Sequence, residues 1–184
     1  LLRGVDTNGQ KASAVRIDAR VGRSARSFFG KEDSQALLAS DAAFQPTKVI
    51  VMLGTNDIDV GTSGAALDLT KEALRKIRDA YRGMDAEVVA IGPPSYPNDH
   101  YAQGAPAMLA ALREVFGADR VLDIRSLTSG VSRTKDGIHF TQAGAAVVGP
   151  RLAQALTGPV GAVANVSGWG FSERGRYGRA WRAA

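Results

Sequence analysis

Residues 49–53, Val-Ile-Val-Met-Leu, are apolar without interruption and stop abruptly at Gly54-Thr55-Asn56-Asp57. A short β-branched run bounded by turn formers reads as a strand covered on both faces. Such strands sit in the middle of parallel sheets, and parallel neighbours need helical crossovers between them. Val88–Ile91 and Val121–Ile124 have the same character. Val15, Ile17, Ala19 and Val21 alternate with Arg16, Asp18 and Arg20, the period of a half-covered strand that Gly22 would end.

Helical patterns fill the intervals. One starts near Asp33 as N-cap and runs through Ala36, Leu37 and Leu38. The next is capped by Ser63, places Ala66, Leu69, Ala73, Leu74, Ile77 and Tyr81 on one face, and stops at Gly83. A third has Pro106 in its first turn, Met108, Leu109, Leu112, Val115 and Phe116 as its stripe, and Gly117 at its end. Thr141 caps a last helix reaching about Leu156. Four alternations of strand and helix predict an α/β fold, a mainly parallel sheet between helical layers in an α/β/α sandwich. The expected domain is 1–158. After Gly158 the composition turns to glycine, arginine and aromatic residues, so 159–184 reads as a C-terminal extension.

Composition narrows the chemistry. The chain has no cysteine, which removes disulfides and thiolate metal sites. Two histidines without a third make a zinc site a poor reading, and no metal is expected. No apolar stretch reaches the roughly 18 residues of a membrane span. The net charge of +5 is concentrated in the tail, where Arg174, Arg176, Arg179 and Arg182 face only Glu173. A broad nucleic-acid surface is therefore not expected. No phosphate-binding glycine loop is present, so no nucleotide cofactor is implied. Asp57 and Asp59 read as a solvated turn in preference to a cation site. His100 lies in a Pro-rich loop over 92–104, where it could line a substrate pocket or simply face solvent.

In parallel α/β sheets ligands bind at the carboxyl ends of the strands. That is where Gly22, Asn56, the 92–104 loop and the 125–140 loop are expected. Within the last of these, "TKDGIHFTQAG" at 134–144 sets Asp136 three residues before His139. A carboxylate at that spacing can hold an imidazole through one ring nitrogen and leave the other for proton transfer. The plainer reading is an Asp-Gly turn followed by a packed histidine.

Together, "GTND" after a buried strand, "DGIHF" before the last helix, and "IDARVGRSA" as a glycine block resemble the SGNH, or GDSL-like, hydrolase family in wording and order. The resemblance implies a flavodoxin-like three-layer fold and a serine hydrolase working through an acyl-enzyme without a cofactor. It implies His139 as general base, Asp136 as its orienting acid, and the Gly22 amide and Asn56 side chain as oxyanion donors. The substrate would be a carboxylic ester of a lipid, small molecule or glycan. A non-catalytic ligand-binding module and an O-acyltransferase are the alternatives, and the family's frequent export favours an exported protein.

The serine of a Gly-Asp-Ser turn is not at its usual place. "LLRGVDTNG" reads as the tail of the helix that should follow it, so the turn is expected upstream of Leu1. In a permuted order Ser167, or less plausibly Ser172, would supply it from the tail. A degenerate member would have lost it. Ser13, Ser24 and Ser27 fall in the wrong place relative to the strands.

Overall fold

The computed structural model describes residues 15–30 and 33–157. Ser13, the extension expected over 159–184, and Ser167 and Ser172 within it lie outside the described residues. The chain divides into two compact units. One is Gly22–Ser126, and the other combines Leu1–Val21 with Leu127–Ala184.

The Gly22–Ser126 unit contains α1 (Ala25–Phe28), α2 (Asp33–Phe44), β1 (Lys48–Val51), α3 (Thr55–Ile58), α4 (Gly64–Arg82), β2 (Glu87–Ile91), α5 (Asp99–Phe116) and β3 (Val121–Leu122). The strands form one parallel sheet in the order β1-β2-β3. Lys48 lies opposite Glu87 and Val51 opposite Ala90, while Ala90 and Ile91 face Val121 and Leu122. Parallel crossovers share one hand, so a sheet built in sequential order carries both connecting helices on one face. Accordingly α4 and α5 pack on each other and on β2. Successive strand residues point to opposite faces, and Val88, Val89, Ala90 and Ile91 are all buried, so β2 is covered on both.

The core grows from two helical stripes. Thr70, Leu74, Ile77 and Tyr81 are the buried residues of α4, and Met108, Leu109, Leu112, Val115 and Phe116 line α5. Leu69, expected on the inner face of α4, is instead 54% exposed. The true stripe runs through Thr70, whose hydroxyl donates to the Ala66 carbonyl and so costs little to bury.

Helix α5 corrects the expected boundary more strongly. It begins at Asp99, not at Pro106, which lies exposed inside it. The Asn98 side chain accepts from the amides of His100 at 3.0 Å and Tyr101 at 3.4 Å, a cap that starts the helix a turn and more early. Burial of Tyr101, Gly104, Ala105 and Met108 along one face carries it through the proline.

The strand expected over Val15–Val21 does not form. Val15 makes an isolated bridge, residues 16–20 are irregular, and every residue from 15 to 21 is exposed. Alternation marks residues that suit a half-covered strand, but only a continuous ladder makes one, and here neither face is covered. The sheet among the described residues therefore has three strands instead of four, and β1 and β3 end earlier than their apolar runs.

The second unit is described over 15–21 and 127–157. It carries the end of α6 (Arg125–Thr128) and α7 (Gln142–Thr157), which buries Ala145, Val148 and Leu152. Among the described residues no helix is long and apolar enough to cross a membrane.

Leu112 is fully buried in the α5 stripe. Leu112→Ala should lower unfolding free energy by about 2–5 kcal/mol, the range for emptying a tightly packed leucine site. Urea denaturation checks this, and a change below about 1 kcal/mol would contradict the packing described.

Candidate active site

The candidate residues fall in two local structures, one in each unit. The first follows β1. Gly54, in a left-handed conformation, ends the strand's extension and its carbonyl accepts from the amides of Asp57 and Ile58, so residues 55–58 wind into α3. This turns the polar residues of "GTND" toward the 22–26 backbone. The Asn56 side-chain Nδ2 donates to the Arg23 carbonyl at 3.0 Å. An amide nitrogen carries two hydrogens, and the bond to Arg23 uses one of them.

Asp57 does not form the solvated turn expected of it. Its side chain is fully buried, and its Oδ2 accepts from the Ala25 amide at 2.8 Å and its Oδ1 from the Arg26 amide at 3.3 Å. The Arg26 Nε lies 3.9 Å from the same carboxylate. Asp59, by contrast, is exposed and accepts from the Tyr101 hydroxyl at 2.7 Å, with the His100 ring 3.5 Å away. Across the same strand edge the Thr55 and Tyr96 hydroxyls are 2.6 Å apart. His100 thus belongs to the first turn of α5 and faces Asp59.

Gly22 lies in an exposed turn at φ +67°, a conformation that suits glycine. A Cβ there would meet nothing within 4 Å. Ser24 and Ser27, excluded as nucleophiles by their position, are occupied structurally. Ser24 caps α1 by accepting from the Ser27 amide, and Ser27 returns the bond to the Ser24 amide, a capping box. Through its bond to the Arg23 carbonyl, the Asn56 side chain is thus held beside the residue that follows Gly22.

The second local structure is a tight hairpin in the other unit. Arg133 and Phe140 form an antiparallel bridge, the Thr134 amide donates to the His139 carbonyl at 2.9 Å, and the Thr141 amide to the Ser132 carbonyl at 3.2 Å. The Arg133 guanidinium donates to the Ile138 carbonyl and stacks 4.0 Å from the Phe140 ring centroid. Thr141 caps α7 as expected, its hydroxyl accepting from the Gly144 amide at 3.0 Å.

At the tip, Asp136 Oδ2 lies 2.7 Å from His139 Nδ1. Its Oδ1 accepts from the Ile138 amide at 2.8 Å, the His139 amide at 3.0 Å and the Thr134 hydroxyl at 2.7 Å. Desolvation raises the Asp136 pKa, but the bonds from Thr134, His139 and the two amides outweigh it and hold the carboxyl well below the usual carboxylate range. A persistently ionised Asp136 favours the tautomer with the proton on Nδ1, which makes Nε2 the basic nitrogen. The side chains of His139 and Asp136 are 58% and 44% exposed, so the pair's contribution is orientation more than stability. No group of three or more metal-ligating side chains occurs among the described residues.

Two predictions follow from the hairpin. Because the folded pKa of Asp136 is depressed, its stabilisation of the loop is complete above the unfolded value of about 3.9 and is lost only as pH falls through the lower folded value. The Ile138 and His139 amide resonances should therefore titrate below about pH 3.9, and a midpoint at or above it would contradict the geometry. Separately, a Cβ on Gly144 would come within 2.1 Å of the Ser132 carbonyl oxygen. Gly144→Ala should displace the hairpin and cost about 1–3 kcal/mol as overpacking, read by thermal unfolding together with loss of the His139 ring resonances' native positions.

Residues 6–147 match the model of the GDSL-like Lipase/Acylhydrolase family, a span that contains Gly22, Asn56, Asp136 and His139. Among solved structures the chain is similar to a GDSL-like lipase from Bacteroides thetaiotaomicron, with 16% identity and a TM-score of 0.45. That match covers 73% of this chain and 71% of the lipase. A search of curated proteins found no match. With the family model spanning most of its length, the chain belongs to the GDSL-like lipase/acylhydrolase family.

Proposed function

We propose that the protein is a serine ester hydrolase that cleaves a carboxylic ester through an acyl-enzyme. The observation that carries the reading is the 2.7 Å contact between Asp136 Oδ2 and His139 Nδ1, on an imidazole that remains open to solvent. Family membership supplies the general chemistry, hydrolysis of ester substrates; the residue roles below are our assignment.

The serine oxygen attacks the ester carbonyl carbon while His139 Nε2 takes its proton. Asp136 holds the ring and stabilises the imidazolium. The carbonyl oxygen becomes an oxyanion, and the Gly22 N–H and an Asn56 side-chain N–H donate to it. Collapse breaks the bond to the alcohol oxygen, which leaves with the proton from His139. Water then attacks the acyl-enzyme, gives its proton to His139, and the carboxylic acid departs as that proton returns to serine. Asn suits the oxyanion role because it donates a hydrogen bond without placing a fixed charge beside the ground-state ester. Substrates in view are acyl or acetyl esters of a lipid, a small molecule or a carbohydrate, and transfer to a sugar hydroxyl instead of water would make the same chemistry an acyltransferase.

Turnover of a short-chain aryl ester, labelling by a serine-directed phosphonate, and mapping of the labelled serine test this reading. We expect turnover and a single labelled serine. His139→Ala should abolish detectable turnover, and Asn56→Ala should lower kcat by about 10²–10³, the usual effect of removing one oxyanion donor. A folded protein that neither turns over esters nor takes the label would contradict hydrolysis and favour a ligand-binding module.

A further inference from the structure

Asp57 has no part in the proton transfers above, yet it is the most deeply buried carboxyl of the described chain and both its oxygens are committed to backbone. Oδ2 holds the Ala25 amide and Oδ1 the Arg26 amide. The neighbouring residue, Asn56, holds the Arg23 carbonyl. Two consecutive residues of α3 therefore grip residues 23, 25 and 26 at the junction of the Gly22 turn and α1, Asp57 by accepting and Asn56 by donating. The Ser24–Ser27 capping box ties the same residues together from within.

We propose that Asp57 is a positioning residue for the oxyanion donors: it fixes the spacing between the Gly22 amide and the Asn56 side chain. This rests on the ester-hydrolase reading for its consequence in catalysis, though the grip itself is independent of it. A one-turn helix such as α1 has little stability of its own, so its place depends on what holds its first amides. Only an acceptor at both oxygens satisfies the Ala25 and Arg26 amides together. An asparagine of the same shape would turn an NH₂ toward one of them, leaving that donor facing another donor. The turn would then shift relative to Asn56, and two donors that must meet one developing charge would no longer be set for it. Misplacement on the order of 1 Å can cost about 10²-fold in rate.

The test compares Asp57→Asn with wild type and with Leu112→Ala, a core variant of α5 that takes part in none of the bonds to residues 23–26 and controls for lost stability. At a temperature where all three are folded, Asp57→Asn should lower kcat at least tenfold with KM nearly unchanged. Its rate of phosphonylation should fall in proportion, whereas Leu112→Ala should keep wild-type kcat. The second readout needs no turnover. The Asn56 side-chain NH₂ resonances and the exchange protection of the Ala25 and Arg26 amides should change in Asp57→Asn and not in Leu112→Ala. Unchanged kcat in Asp57→Asn, an effect on KM alone, or an equal loss in Leu112→Ala would overturn the positioning role. If wild type proves inert toward esters, the catalytic reading fails, and the grip is judged on the resonances: altered in Asp57→Asn it stands, unaltered it falls. Should Asp57→Asn not fold, wild-type exchange decides, since unprotected Ala25 and Arg26 amides would overturn the grip and strong protection would support it.

Discussion

A strand that ends on glycine and turns at once into a helix exposes its first polar side chains to whatever lies beside the strand's tip. Here that constraint organises the Gly22–Ser126 unit. Because β1 gives way to α3 at Gly54, Asn56 and Asp57 reach the backbone of residues 23–26 instead of solvent. Burying a carboxyl is costly unless its oxygens are satisfied, and two backbone amides at the start of α1 satisfy them. In return, a segment with little intrinsic helical stability is given one place. The polar knot at the end of an apolar strand is thus a structural joint, and the amide proposed for oxyanion binding is part of that joint.

The Asp136–His139 hairpin solves a different problem by different means. The bonds to Asp136 come from residues within three positions of it. The six residues between Arg133 and Phe140 satisfy Asp136 with two amides, a threonine hydroxyl and the imidazole. The bridge at Arg133–Phe140 and the cap at Thr141 then join the turn to α7. In such a loop the Asp136–His139 contact is set by short-range geometry, which is why a spacing of three residues in the sequence already permits it.

That contrast explains what was legible beforehand. The parallel α/β class, most of the α4 stripe, the α5 stripe, the Thr141 cap and the Asp136–His139 contact are encoded within a few residues and are readable in the sequence. Two of the failures depended on partners distant in sequence. The alternation over 15–21 could not reveal that no ladder would cover it. Asp57 looked like a solvated turn because the amides that bury it belong to residues 25 and 26, some thirty positions earlier. Leu69 was misplaced because Thr70 could be buried against its own helix. The early start of α5 was the avoidable error, since Asn98-Asp99 is a readable N-terminal signal that the proline obscured.

The most direct test of the whole account is a structure of the protein covalently modified by a serine-directed phosphonate, whose tetrahedral phosphorus mimics the intermediate of ester cleavage. The phosphoryl oxygen should lie within hydrogen-bond distance of the Gly22 amide and the Asn56 Nδ2, with the His139 ring against the modified serine oxygen. A phosphonate bound to a serine that none of these three groups approaches would contradict it.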